Sequence, residues 1–391
     1  GNAMQFEYTD QQKSIQTAIE KVCANFDDSY WLERDTDGAF PEEFVKAITA
    51  GGWLGIAMPE AYGGAGLGIT ETAIMAHTIA RSGAGMSGAS AVHLNLFGPN
   101  PIVVFGTEEQ KSRLLPPLIE GKDRACFGVT EPDAGLNTTR LATRAVRDGD
   151  HYRINGRKLW TTTAQTANKI LIIARTKDLE ACNKPTEGLT LFYTDLNRDS
   201  IEVRLIDKMG RKAIDSNALF IDDLIVPVTD RIGEEGDGWK CLLHGLNPER
   251  ILIATEAVGL GQAALGKASQ YARERVVFDR TIGKNQGIQH PLAENWMELE
   301  AAQLMVFKAA SLYDAGKPCG AEANASKYLA AQAALKACER AVLTHGGMGY
   351  AKEYHVERYL REIMIPVIAP ISQELIKSFI AEQVLGQEKS Y

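Results

Sequence analysis

The chain has 391 residues, 45% hydrophobic and 24% charged, enough for a large core spread over two or three domains. Lys and Arg number 42 against 50 Asp and Glu, and the resulting charge of −8 argues against a non-specific nucleic-acid binder, whose affinity comes from cations on phosphates. No apolar run reaches the ~18 residues of a membrane-spanning helix. The six cysteines (Cys23, Cys126, Cys182, Cys241, Cys319, Cys338) show no CxxC pair or metal-like spacing, so reduced thiols and no metal site are expected.

Gly1-Asn2-Ala3 reads as a remnant ahead of a native Met4, and no signal peptide follows. The expected location is therefore the cytoplasm, or the mitochondrial matrix if a presequence has been removed. Residues 1–122 carry a helical pattern with clear starts. Thr9-Asp10 precede QQKSIQTAIEKV, Pro41-Glu42-Glu43 open a second amphipathic run, and Thr107-Glu108-Glu109-Gln110 has the form of a capping box. Between them MPEAYGGAGLGIT reads as an extended, glycine-rich loop.

Residues 123–232 change period. KILIIART, GLTLFYTDL, IEVRLIDK and ALFIDDLIVPV are short β-rich runs, and Asn155-Gly156 within HYRINGRKLWTTT signals a hairpin. An antiparallel barrel or sandwich is expected. Residues 233–391 return to long helical patterns low in β-branched residues, as in an antiparallel four-helix bundle. The overall class is thus α+β and multidomain: an all-α domain, a middle β domain and a C-terminal helical bundle. The alternating βαβ pattern and GxGxxG of a dinucleotide-binding Rossmann domain are absent.

Three stretches carry chemistry. FGVTEPDAGLNTT (127–139) offers adjacent amides and hydroxyls beside glycine, suited to a polar ring edge or a phosphate, or equally to a plain turn. Trp160-Thr161-Thr162 places an aromatic plane and a hydroxyl on opposite faces of one strand. In LNPER (246–250), Asn247 reads as a helix N-cap, Pro248 as the first helical residue and Glu249 as a first-turn acid facing the positive end of the helix dipole. On local grammar alone Glu249 is an ordinary capping-turn acid.

VTEPDAG, INGRKLWTT, ERVVF and HGGMGY, in this order and supported by FGTEEQKSRLLPPLIEGK and KMGRKAIDSNALFIDDLIVP, resemble the acyl-CoA dehydrogenase family from about residue 5 to 390. The resemblance implies an FAD-containing homotetramer or dimer that converts an acyl-CoA thioester to the trans-2-enoyl-CoA and passes electrons to an electron-transfer flavoprotein, with no nucleic-acid or membrane partner. It places Phe127, Val129 and Thr130 along the flavin ring, Trp160 against it and Thr162 near its reactive nitrogen. Arg275, Phe278 and Gln286, with Gly346 and Gly347, would reach the FAD of a neighbouring subunit, and Ser372 and Glu374 match further cofactor contacts. Leu136, Asn247 and Arg250 fall at substrate-side positions, Arg250 reading equally as a local ion-pair partner. The sequence departs from the family pattern at Asp279, Leu343 and Leu136-Asn137, and His345 reads as a core or cofactor-adjacent histidine.

The family's reaction needs a carboxylate to remove the α-proton. Many members carry it near the C-terminus, where this sequence has Pro370 followed by Ile371; Glu374 is the nearby acid. Isovaleryl- and long-chain-type members carry it instead at the start of a C-terminal-domain helix, and that position is Glu249. Glu249 is therefore the expected base, with burial raising its pKa and the helix terminus lowering it. A same-fold oxidase of the acyl-CoA or nitroalkane type, and a flavin-bearing DNA-associated protein, remain the alternatives.

Overall fold

Thr9 accepts the backbone N–H of Gln12 and receives the Gln12 side chain on its own N–H, so α1 (Asp10–Cys23) opens with the reciprocal bonds of a capping box. Thr107 and Gln110 repeat the device at the start of α7 (Glu108–Ile119). Between them lie α2 (Asp28–Asp37), α3 (Glu42–Ala50), α4 (Ile69–Ile79), α5 (Gly85–Phe97) and α6 (Asn100–Phe105). The segment ahead of α4 is a loop apart from a 3₁₀ turn at Glu60–Tyr62. The structure, a computed structural model, describes residues 4–134, 137 and 140–390.

The middle region forms one eight-stranded sheet: β1 (Ala125–Gly128), β2 (Arg144–Asp148), β3 (His151–Thr162), β4 (Lys169–Arg175), β5 (Leu189–Asp195), β6 (Ile201–Leu205), β7 (Ser216–Pro227) and β8 (Arg231–Ile232). Its order is β6-β7-β3-β2-β4-β5-β8, with β1 beside β4. The expected antiparallel pairing holds except where β1 and β2 run parallel to β4. Asn155-Gly156 is not a hairpin. It is an irregularity inside the continuous β3, where the register against β7 shifts between Ile154 and Gly156. Asn155 exchanges side-chain bonds with Asp223 on β7, and a Cβ on Gly156 would lie 2.4 Å from Thr143 Oγ1, so the glycine serves close strand approach. The turn lies earlier, at Gly149-Asp150 between β2 and β3, where Gly149 supplies a φ of 66°.

The C-terminal region contains α8 (Gly238–Leu243), α9 (Leu246–Glu274), the two-stranded β9 (Val276–Val277) and β10 (Arg280–Thr281), then α10 (Gln286–Asp314), α11 (Gly320–His345), α12 (Val356–Ile368) and α13 (Gln373–Gln383). Helices α9 to α12 share a core rich in alanine, including Ala257, Ala264, Ala330, Ala334 and Ala337, and these small side chains let the helices pack closely. The stretch Val356–Gln383 has the length and mean hydropathy, 1.4, of a membrane span, a property that counting uninterrupted apolar runs misses. It is two helices, broken between Ile368 and Gln373, and α12 packs on α11 and α9.

The start of α9 corrects the expected cap. The helix begins at Leu246 with Gly245 as its N-cap and no side-chain cap, so Asn247 lies inside the first turn. The chain leaves α8 through only His244 and Gly245, which sets the helical start ahead of Asn247. Glu249 still occupies the first turn, its N–H bonded to the Gly245 carbonyl at 3.1 Å.

Candidate active site

Residues seven apart on a helix return to nearly the same face, two turns on. Glu249 and Glu256 are so spaced on α9, and facing them on α5 is His93, with Ser90 one turn before it. His93 Nε2 lies 2.9 Å from Glu249 Oε2, and Nδ1 lies 2.6 Å from Glu256 Oε2. His93 and Glu256 are buried, whereas the Glu249 side chain keeps 34% of its surface exposed. That surface opens into a cavity of about 140 Å³ between the N-terminal helices, the sheet and the bundle. Apolar Leu94, Ile253 and Ile365 line it together with Thr162, Arg211 and Pro370.

Burial alone would raise the Glu249 pKa, but the charge of His93 and its hydrogen bond prevail and hold it below the ordinary value. The lowering comes from the histidine. For His93, burial favours the neutral ring, yet the two carboxylates together raise its pKa well above the ordinary value. Glu256 has no exposed surface, and that burial raises its pKa against the pull of His93. Arg211 donates from Nη1 to Ser90 Oγ at 2.9 Å, its buried Nε has no partner among the described residues, and desolvation pushes its pKa down to about 10.

A second set of contacts fixes the walls. Glu362 on α12 accepts from the Ser87 N–H and hydroxyl on α5 at 2.9 and 2.6 Å, one turn before Ser90. Arg361 bonds Asp35 on α2 and Glu357 at 2.7 Å each, and the Met209 carbonyl at 3.1 Å. Arg361 and Glu362 thus tie the segment leading to Pro370 onto the N-terminal helices.

Thr162 and Glu249 meet at the cavity, as does Pro370. Phe127 and Val129 are half-buried at β1 and just after it and do not line the cavity, and Gly98 makes room for the Phe127 ring, which would stand 1.9 Å from a Cβ there. The Thr130 carbonyl accepts from Leu159 N–H and the Val129 carbonyl from Lys158 Nζ, so both carbonyls are committed within the protein. Trp160 is 55% exposed at a φ of 59°, in the second irregularity of β3, opposite the buried Thr161.

Other expected residues lie away from the cavity. Phe278 and Asp279 form the tip of the β9–β10 hairpin with φ of 54° and 64°, and Phe278 is 94% exposed. Arg275 and Gln286 flank that hairpin on the surface, and Gly346 and Gly347 end α11 with open space around both. Ser372 caps α13 by accepting from Leu375 N–H, while Glu374 points to solvent near Lys377. Asn247 bonds the Cys319 thiol, and Arg250, its pKa lowered by burial, has no ion pair among the described residues; neither lines the cavity. Leu136 lies outside the described residues. His345 is a core residue, stacked on Tyr271 and bonded through Nδ1 to the Ala341 carbonyl.

Sequence reasoning missed His93, Ser90, Glu256, Arg211 and the buried Glu131–Lys158 pair. The signal for Glu256 is its spacing from Glu249. Nothing local marks His93, a lone histidine in the apolar run GASAVHLNLF.

The residues present fit a flavin. Thr162 lines the cavity with the acid, Trp160 offers an uncovered indole on the same strand, and Phe278 is a large ring left 94% exposed at a position assigned to the cofactor of a neighbouring subunit, with the Tyr350 ring also 91% exposed.

Comparison with known proteins agrees. Residues 9–122, 126–224 and 236–385 match, in turn, the N-terminal, middle and C-terminal domains of acyl-CoA dehydrogenase. The chain is 35% identical to the acyl-CoA dehydrogenase FadE12 of Mycobacterium tuberculosis over 99% of both proteins. It is 33% identical to the caffeyl-CoA reductase-Etf complex subunit CarC of Acetobacterium woodii, over 90% of this chain and 92% of that one. Its fold superposes on butyryl-CoA dehydrogenase from Megasphaera elsdenii with a TM-score of 0.92 and 30% identity, covering 98% of this chain and 100% of the other.

Proposed function

Because the chain belongs to the acyl-CoA dehydrogenase family of FAD-dependent oxidoreductases, we propose that it converts an acyl-CoA to the trans-2-enoyl-CoA with Glu249 as the base. One observation carries the assignment: the Glu249 carboxylate opens into the same cavity as Thr162 and Pro370. The position that could have supplied a C-terminal acid holds a proline, and Glu374 turns away from the cavity with its side chain 82% exposed.

FAD, when bound, accepts the β-hydride. The protein's part is to hold and to polarise. Phe127, Val129, Thr130, Trp160 and Thr162 hold the flavin ring, and apolar Leu94, Ile253 and Ile365 exclude water around the acyl chain. Glu249 removes the α-proton, which a thioester acidifies only weakly, and a positioned base of this kind contributes about 10²–10⁴ in rate. Its low pKa keeps it ionised in the free enzyme. Arg275, Phe278, Gln286, Gly346 and Gly347 contact the cofactor of a neighbouring subunit in a homotetramer or dimer, which the uncovered Phe278 and Tyr350 support. Electrons leave to an electron-transfer flavoprotein, a reading supported by the Etf-complex relative.

The test is anaerobic mixing of the holoenzyme with a panel of short, branched and long acyl-CoAs while flavin absorbance is followed. Bleaching by at least one acyl-CoA is expected, falling by at least ~10² in Glu249→Gln. Wild-type rates in the variant would refute the base, and turnover with O₂ as the sole acceptor would favour an oxidase.

A further inference from the structure

His93 stands between two carboxylates carried by one helix, with an acceptor facing each ring nitrogen. An ionised carboxylate accepts and does not donate, so the ring satisfies both contacts when both nitrogens carry hydrogen. On α5 itself the neighbours are the hydroxyls of Ser87 and Ser90. Arg211, from the segment ahead of β7, bonds Ser90 through Nη1 while its charge also acts on Glu256, and Glu362 from α12 accepts from Ser87 through Oε1. Glu249 and Glu256 are the charged groups that touch the ring.

We propose that His93 is a positioning residue for the base: as an imidazolium it holds Glu249 by Oε2 and leaves Oε1 to take the α-proton, while Glu256 anchors the imidazolium from behind. This rests on Glu249 being the base. A glutamate on the wall of an open cavity has three side-chain torsions to settle, and a charge-assisted bond to a buried partner removes most of that freedom. An imidazolium has no lone pair, so His93 cannot carry the proton onward. The α C–H bond breaks, an O–H bond forms on Oε1, and the electron pair stays with the substrate to form the double bond, for which FAD, when bound, would supply the hydride acceptor. The proton remains on Glu249 until product leaves and solvent takes it.

Glu256 then has a defined part. Its carboxyl faces Nδ1 from the side away from the cavity, so removing its charge should make the imidazolium easier to deprotonate. A merely structural cluster has no such signature.

Two measurements on the holoenzyme test this. In ¹⁵N-histidine NMR of the wild type, His93 is expected to carry hydrogen on both nitrogens at pH 7.5, above the ordinary imidazole value of 6.5; a neutral ring overturns the proposal. The acid limb of kcat/KM for flavin reduction reports the free-enzyme base. His93→Gln should move that limb up by about one pH unit or more, the size of shift a lost opposite charge at this distance produces. Glu256→Gln should leave that limb nearly in place, since burial keeps Glu256 protonated where Glu249 titrates, but it should lower the pH at which His93 loses its second hydrogen in the NMR titration. An unshifted acid limb in His93→Gln, or an unshifted His93 titration in Glu256→Gln, overturns the proposal. If His93→Gln fails to fold, the wild-type NMR state and the His93 titration in Glu256→Gln decide. Undiminished reduction in Glu249→Gln would instead refute the base itself, leaving the protonation of His93 still measurable.

Discussion

The protein holds two acid–base clusters built to different ends. In the sheet, Glu131 meets Lys158 Nζ at 2.7 Å, with side chains 6% and 0% exposed. Its oxygens also receive the N–H groups of Ala142 and Thr143, and the lysine reaches the Val129 carbonyl. Burial would raise the Glu131 pKa, but Lys158 holds it below the ordinary value, and burial pushes Lys158 down to about 8. Every group in this cluster points inward. In the Glu249–His93–Glu256 cluster the histidine satisfies one oxygen of Glu249, and the carboxylate still opens to the cavity. A closed pair fixes strands; an open one can exchange a proton with a substrate.

Substitutions should separate the two. The largest effect belongs to Glu249→Gln, which should lower the rate of flavin reduction by about 10²–10⁴ with little change in melting temperature. Lys158→Met should do the reverse. Leaving Glu131 buried without its cation costs about 3–5 kcal/mol, visible in denaturant unfolding, and adding Glu131→Gln should restore part of it. A large loss of stability in the first variant, or none in the second, would erase the distinction.

The pH dependence follows from the open cluster. Because His93 holds the Glu249 pKa below its ordinary value, the base is fully ionised above that value. Activity should therefore persist through the weakly acidic range and fall only as pH drops through the depressed pKa. A kcat/KM profile that already declines between pH 6 and 7, about where an unperturbed imidazole titrates, would contradict the charge arrangement. The smallest effect is expected from Glu374→Gln: an exposed acid outside the cavity should leave the pH profile of the base unchanged.

The α–β–α order was legible because helical and strand periods differ, and the capping boxes at Thr9 and Thr107 marked helix starts through chemistry local to four residues. Asn155-Gly156 misled because the same dipeptide serves a turn or a strand irregularity, and only the contact with Thr143 decides. Asn247 misled for a similar reason: the α8 connection, not the side chain, sets where α9 begins. Glu249 was legible through resemblance and through the proline at 370. His93 was not, since its role depends on α5 crossing α9, a contact between residues 156 positions apart.

The most direct test of Glu249 uses an acyl-CoA with α-hydrogens but no β-hydrogen, such as the 3,3-dimethylbutanoyl thioester, so that hydride loss cannot follow. In D₂O the wild-type holoenzyme should exchange the α-hydrogens for deuterium, read by proton NMR, and Glu249→Gln should slow that exchange by at least ~10². Exchange at the wild-type rate in the variant would show that another group removes the proton.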